Sequence, residues 1–244
     1  MRYDEPMESH GPHRDDRDPF YEMEINYSPL GQSPFGQNSQ DYGQVIYQPP
    51  RHDKGIFSFT GEEVRELIIS IAVLTFAFTM VLGGETEFLA YLGPSFIAVL
   101  TGFFLHEMGH KFLAQSYGLF SEFKMSQQGL FLALVTSFFG FLIAAPGAVM
   151  IYGYPTKEQS GKTAIAGPLV NVIIALIALP FTMFGGVIGF TAVLVMFINS
   201  FLALFNLIPV HPLDGGKVVN WSVPHYIAIA LVTVSLFIYA IFSQ

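Results

Sequence analysis

A chain of 244 residues with 52% hydrophobic and only 12% charged residues has about half the charged fraction of an ordinary soluble domain. Its mean hydropathy is positive although its first sixty residues are polar, so long uncharged runs fill the rest and point to an integral membrane protein. The net charge of −8 argues against nucleic-acid binding, and the absence of cysteine excludes a disulfide framework, a thiolate metal site and a cysteine nucleophile.

Residues 1–60 form the first unit. They are rich in Pro, Gly, Gln, Ser, Asp and Tyr, carry ten acids and five Lys or Arg, and keep no helical or strand period. Such a segment buries too little apolar surface to offset its chain entropy and reads as a disordered cytosolic tail. A solvated tail is the favoured reading, with contact of Tyr27, Tyr42 and Tyr47 to a regulatory partner or the membrane surface as the alternative, and His10, His13 and His52 have no ligand spacing. The N-terminus has no apolar core of a signal peptide, so the first span would serve as the targeting signal.

Residues 61–244 form the membrane-embedded unit. Thr60 with Glu63 predicts a helix N-cap, and residues 67–83 make the first span. An acidic turn at 84–87 leads into a long helix over 88–118. A strand is expected at 122–126, an apolar helix over 129–145 and a second strand over 146–153. Further spans follow at 161–184, broken late by Pro180, and at 187–207. A polar loop over 209–221 and a last span over 224–242 complete an all-α polytopic protein of five to six transmembrane helices.

Basic residues set the topology. Arg51, Lys54 and Arg65 precede the first span. Lys111 and Lys124 follow His110 of the long helix, Lys157 and Lys162 flank the start of the next span, and Lys217 lies in the loop after the fourth. All of these points therefore face one side, the cytosol. Residues 125–155 then start and finish on that side while being apolar. They must dip in and return, which is tolerated where protein covers the backbone or it lines a cavity.

The chemistry centres on His106-Glu107-Met108-Gly109-His110, inside the long helix and flanked by Phe103-Phe104-Leu105 and Phe112-Leu113-Ala114. Two histidines four apart on a helix share a face and can hold one zinc ion, with Glu107 placed as general base for a water molecule on the metal. A pair of helix-surface histidines with a solvated glutamate is the competing reading, which the apolar flanks disfavour. An ionised group at this depth costs on the order of 3 kcal/mol on insertion scales, so it needs a use or a partner. A catalytic zinc usually takes three protein ligands. The remaining candidates in the apolar part are Asp214, His211, His225, Glu158 and several Asn, and the topology puts Asp214 on the same side as His110.

Three segments resemble the site-2 protease family of intramembrane zinc metalloproteases. They are the H-E-x-x-H helix with Ala114 and Gly118, Ala166-Gly167-Pro168-Leu169-Val170-Asn171, and the N-x-x-P-x-x-x-x-D-G pattern at residues 206–215. The resemblance implies His106, His110 and Asp214 as ligands of one Zn2+ and Glu107 as the base that passes its proton to the leaving amine. It also implies Asn171 or Asn206 as a hydrogen-bond donor to substrate backbone or oxyanion. Helix-end capping by Asn206 and interhelical bonding by Asn171 are the competing readings. His211 falls outside the ligand pattern, and His225 reads as interfacial. The strands near residues 119–127 and 146–153 resemble the family's membrane-associated sheet, at whose edge an unwound substrate would add a strand.

The function expected is an intramembrane endopeptidase that cuts transmembrane segments of other proteins, in the bilayer of a prokaryotic cytoplasmic membrane, to release a regulator or clear a stub. The alternatives are a catalytically silent relative that only binds transmembrane segments and, less in keeping with the apolar outer halves of the spans, a metal transporter.

Overall fold

The computed structural model describes residues 57–242. The reading of a polar tail over 1–60 therefore lies, up to residue 56, outside the described residues. Helix α1, Gly61–Gly83, opens on the anticipated capping box: Glu63 N donates to Thr60 Oγ1 (3.1 Å) and Thr60 N to the Glu63 carboxylate (3.4 Å). The long second helix, Phe88–Ser116, has three parts, α2 (Phe88–Val99), a π-helical turn (Leu100–Phe104) and α3 (Leu105–Ser116). In the π-turn, Thr101 Oγ1 donates back to the Ile97 carbonyl (2.7 Å) and accepts from Asn199 Nδ2 (3.1 Å). Helix α3 stops because Gly118 takes φ 74°, which lets Gly118 N reach the Gln115 carbonyl and Leu119 N the Ala114 carbonyl, a Schellman ending.

Strand β1 (Phe120–Met125), helix α4 (Gln127–Ser137) and strand β2 (Gly147–Tyr152) follow. The strands are antiparallel, with Phe120 opposite Tyr152 and Met125 opposite Gly147, so this segment ends beside its own start. At 1.5 Å per residue the 11 residues of α4 reach about 16 Å, roughly half a bilayer core. The chain thus leaves β1 and returns to it within a short hairpin, the course a re-entrant segment would take. The expected helix to residue 145 is not observed: α4 ends at Ser137, and 138–146 runs back as irregular chain through Gly140 (φ 80°). Its return crosses α4 at Gly129, where a Cβ would come within 1.9 Å of the Ala145 carbonyl oxygen.

Helix α5 (Lys157–Ala178) starts on a second capping box, Thr156 with Gln159, and tightens into a 3₁₀ turn, Leu179–Met183, at Pro180. Helix α6 spans Gly186–Asn206, α7 Asp214–Trp221 and α8 Val223–Phe242. The expected polar loop over 209–221 is corrected here, since its second half is helical. Five helices among the described residues are long and apolar enough to cross a membrane, which makes this a multi-pass membrane protein with one small sheet.

Buried apolar side chains gather in two clusters. One joins α5, α6 and α8 through Val172, Met196, Leu207 and Leu236. The other joins α1, α2, α3, α4 and β1 through Leu74, Phe103, Met108, Phe123 and Leu130. Lys111 needs a second correction. By sequence it counts with the basic residues that set the topology, but it is buried and its charge is spent on Glu63.

Candidate metal centre

His106 and His110 lie one turn apart on α3, and their Nε2 atoms are 3.1 Å apart. Asp214, the first residue of α7, brings Oδ2 to 3.1 Å from His110 Nε2 and 3.6 Å from His106 Nε2. Ligands about 2.0–2.1 Å from a tetrahedral zinc stand about 3.3 Å from one another, so these separations fit one ion. A donor set of two imidazoles and one carboxylate suits zinc as well.

The neighbouring helix is shaped around this group. A Cβ on Gly167 would stand 2.3 Å from His110 Nε2 and 2.7 Å from His106 Nε2, so α5 fits here because residue 167 has no side chain. Gly109 on α3 does the same in reverse, with the Ala166 carbonyl oxygen 3.0 Å from where its Cβ would be. This close approach lets His110 Nδ1 donate to the Thr163 carbonyl at 2.8 Å. That bond fixes the tautomer and leaves the Nε2 lone pair for a metal.

Asp214 arrives at the end of the 207–213 turn. Gly215 allows it, because a Cβ there would lie 2.2 Å from the Leu207 carbonyl oxygen. Burial pushes the Asp214 carboxyl up, but the adjacent His110 and His106 outweigh it and hold the group well below the usual carboxylate range. Glu107 is buried, and its Oε2 accepts from Val149 N at 2.9 Å. This ties the residue between the two histidines' positions to β2.

Among proteins of known name, "Putative zinc metalloprotease MJ0611" of Methanocaldococcus jannaschii is 35% identical over 192 residues, which cover 77% of this chain and 98% of that protein. The chain belongs to this zinc metalloprotease family. "Zinc metalloprotease MJ0392" of the same organism is 30% identical over 128 residues, 51% of this chain and 33% of its own length. No family model matches the chain, and no solved structure matches it significantly.

In this metalloprotease, His106, His110 and Asp214 form the one cluster of three His, Asp or Glu groups among the described residues whose donor atoms lie within 4.8 Å of one another. His211 and His225 stay outside it and are exposed, and His225 stacks on Trp221. Asn206 Nδ2 donates to the Leu202 carbonyl one turn back, the helix-end role. Asn171 is fully buried with neither side-chain atom bonded. It sits one turn beyond Gly167, on the α5 face that meets the histidines. Sequence reasoning missed the Thr163 carbonyl and the Val149 amide, because backbone groups leave no residue-type signal. Gly167 was visible only as part of a motif, without its steric reason.

Proposed function

We propose that this metalloprotease is an intramembrane endopeptidase of the site-2 protease type, cutting transmembrane segments of other membrane proteins. The observation that carries the reading is the pairing of a His-His-Asp group, whose two histidines lie on a membrane-length helix, with the outer edge of β2. On β1 the outer edge is occupied: Phe123 N donates to Glu63 (2.9 Å), Met125 N to Glu66 (2.8 Å), and Lys111 Nζ donates to the Ser121 carbonyl (2.7 Å). By the alternation of an antiparallel pair, Gly147, Val149 and Ile151 then point away from β1. The Val149 amide meets Glu107, and among the described residues no strand pairs with that edge, which leaves it to take an added one. A helical substrate hides its carbonyls in its own hydrogen bonds, so extension along β2 would open the scissile bond to attack.

Zinc, when bound, supplies the Lewis acid that activates water and polarises the peptide carbonyl. Glu107 keeps Oε2 on Val149 and takes the proton of the attacking water at Oε1, then delivers it to the leaving nitrogen. Asn171, buried with unspent donors and acceptor, is the side chain held for substrate backbone or the developing oxyanion. Lys162 in the first turns of α5 and Lys217 on α7 lie close in sequence to Thr163 and Asp214 of the site, which supports a cytosolic placement of the site in a prokaryotic cytoplasmic membrane.

The test is cleavage of a single-span substrate by purified protein in detergent, with Glu107→Gln alongside. We expect zinc-dependent cleavage by wild type, and a loss of at least about 10²–10⁴-fold in the variant, the range of a general base, with its zinc retained. Equal cleavage by both would sink the assignment of Glu107. Zinc-loaded wild type that cuts no member of a panel of transmembrane helices would favour a binding role instead.

A further inference from the structure

Away from the metal group, the most deeply buried charges among the described residues are Glu63 (0% exposed) and Lys111 (1%). Lys111 Nζ lies 2.8 and 2.9 Å from the two Glu63 oxygens and 2.7 Å from the Ser121 carbonyl, under the ring of Phe59. Glu63 Oε1 also accepts from Phe123 N at 2.9 Å. A buried ion pair is a poor source of stability, since apolar side chains of similar volume commonly serve as well or better. What the pair does is geometric. Phe123 faces Val149 across the sheet, and Val149 N is held by Glu107. Glu107 and Lys111 are four residues apart on α3, on one face of it. The sheet is thus fastened to the metal-bearing helix at both edges, through Glu63 and Lys111 on β1 and through Glu107 on β2.

We propose that Glu63 and Lys111 are positioning residues that fix the height of the β2 edge against Glu107 and the metal group, and thereby select which peptide bond of a docked strand is cut. The inference rests on the peptidase reading above. In that reading the added strand takes its register from β2, so a sheet released at its β1 edge would slide or tilt along α3. The bond presented to Glu107 would then no longer be unique.

The experiment uses the full chain, zinc-loaded in detergent, with the double substitution Glu63→Leu/Lys111→Met. This removes both charges and leaves neither unpaired. We expect zinc content unchanged and amide exchange over residues 147–152 faster by roughly tenfold, the equivalent of one charge-assisted hydrogen bond. Cleavage products, read by mass spectrometry, should spread over neighbouring peptide bonds. A role in folding alone would reduce the yield of product while leaving the cut at the wild-type bond. Wild-type exchange over 147–152 together with a single wild-type cut overturns the proposal. Should the double variant fail to fold, Glu63→Gln/Lys111→Met decides the matter, because it keeps an acceptor for Phe123 N, leaves no buried charge unpaired and removes the tie from α3 to the Ser121 carbonyl. The same direction of change supports the proposal, and wild-type behaviour overturns it. If wild type cuts no transmembrane segment, the peptidase reading fails, while the exchange measurement still decides whether the pair holds the β2 edge.

Discussion

At the scale of single residues, the site depends on what is missing as much as on what is present. Gly167 contributes no atom to the metal group, yet any side chain there would occupy the space between the two Nε2 atoms. Gly167→Ala should raise intrinsic helix propensity, by about 1 kcal/mol in an ordinary helix, and still empty the site. We expect zinc per chain to fall close to zero by elemental analysis with the helical circular dichroism retained. A fully loaded Ala variant would mean that α5 can retreat from α3. Asp214→Ala tests the other side of the group. It removes the ligand furthest in sequence from the histidines and leaves two imidazoles, so zinc should be retained far more weakly than in Glu107→Gln, which keeps all three ligands. Equal zinc content in wild type and Asp214→Ala would remove Asp214 from the ligand set.

At the scale of elements, the π-turn Leu100–Phe104 is where α6 grips the helix that carries the histidines. Asn199 is fully buried and spans the gap, donating to Thr101 Oγ1 at 3.1 Å and to its own Val195 carbonyl at 2.8 Å. Asn199→Leu should lower stability by about 1 kcal/mol, the usual scale of an interhelical hydrogen bond in a bilayer, while zinc content stays unchanged. Thermal unfolding in detergent with a metal assay checks both. The sequence could not announce this turn, because one extra residue in a uniformly apolar helix alters no period that hydropathy detects. The spans themselves were legible for the opposite reason, since length and lack of charge suffice. So were the His106–His110 pair, by its spacing, and Asp214, by family resemblance. Helix α7 was hidden by Gly215-Gly216, residues of low helix propensity that are there to let α7 approach Leu207 and Val210. The end of α4 was hidden by Phe138 to Ala145, apolar enough to read as helix although the chain reverses through Gly140.

At the scale of the whole molecule, the metal group lies on the seam between the two apolar clusters. His106 and His110 belong to the half built on Phe103, Met108 and Phe123, whereas Asp214 follows Leu207 in the half built on Val172, Met196 and Leu236. The His110–Thr163 bond and the Asn199–Thr101 bond also tie the two halves. A ligand that binds only the folded state stabilises it by about 2.7 kcal/mol at a free concentration a hundred times its dissociation constant, and here that stabilisation is applied across the seam. Stripping zinc with a chelator should therefore leave both clusters folded and loosen their join. Hydrogen exchange should rise over α7 and the preceding 207–213 turn, which Asp214 anchors, and stay unchanged in the buried stretches of α1 and α6. Zinc added back should restore protection. A rise spread evenly over all helices would mean that the metal supports the entire fold, and no rise anywhere would mean that the seam closes without it.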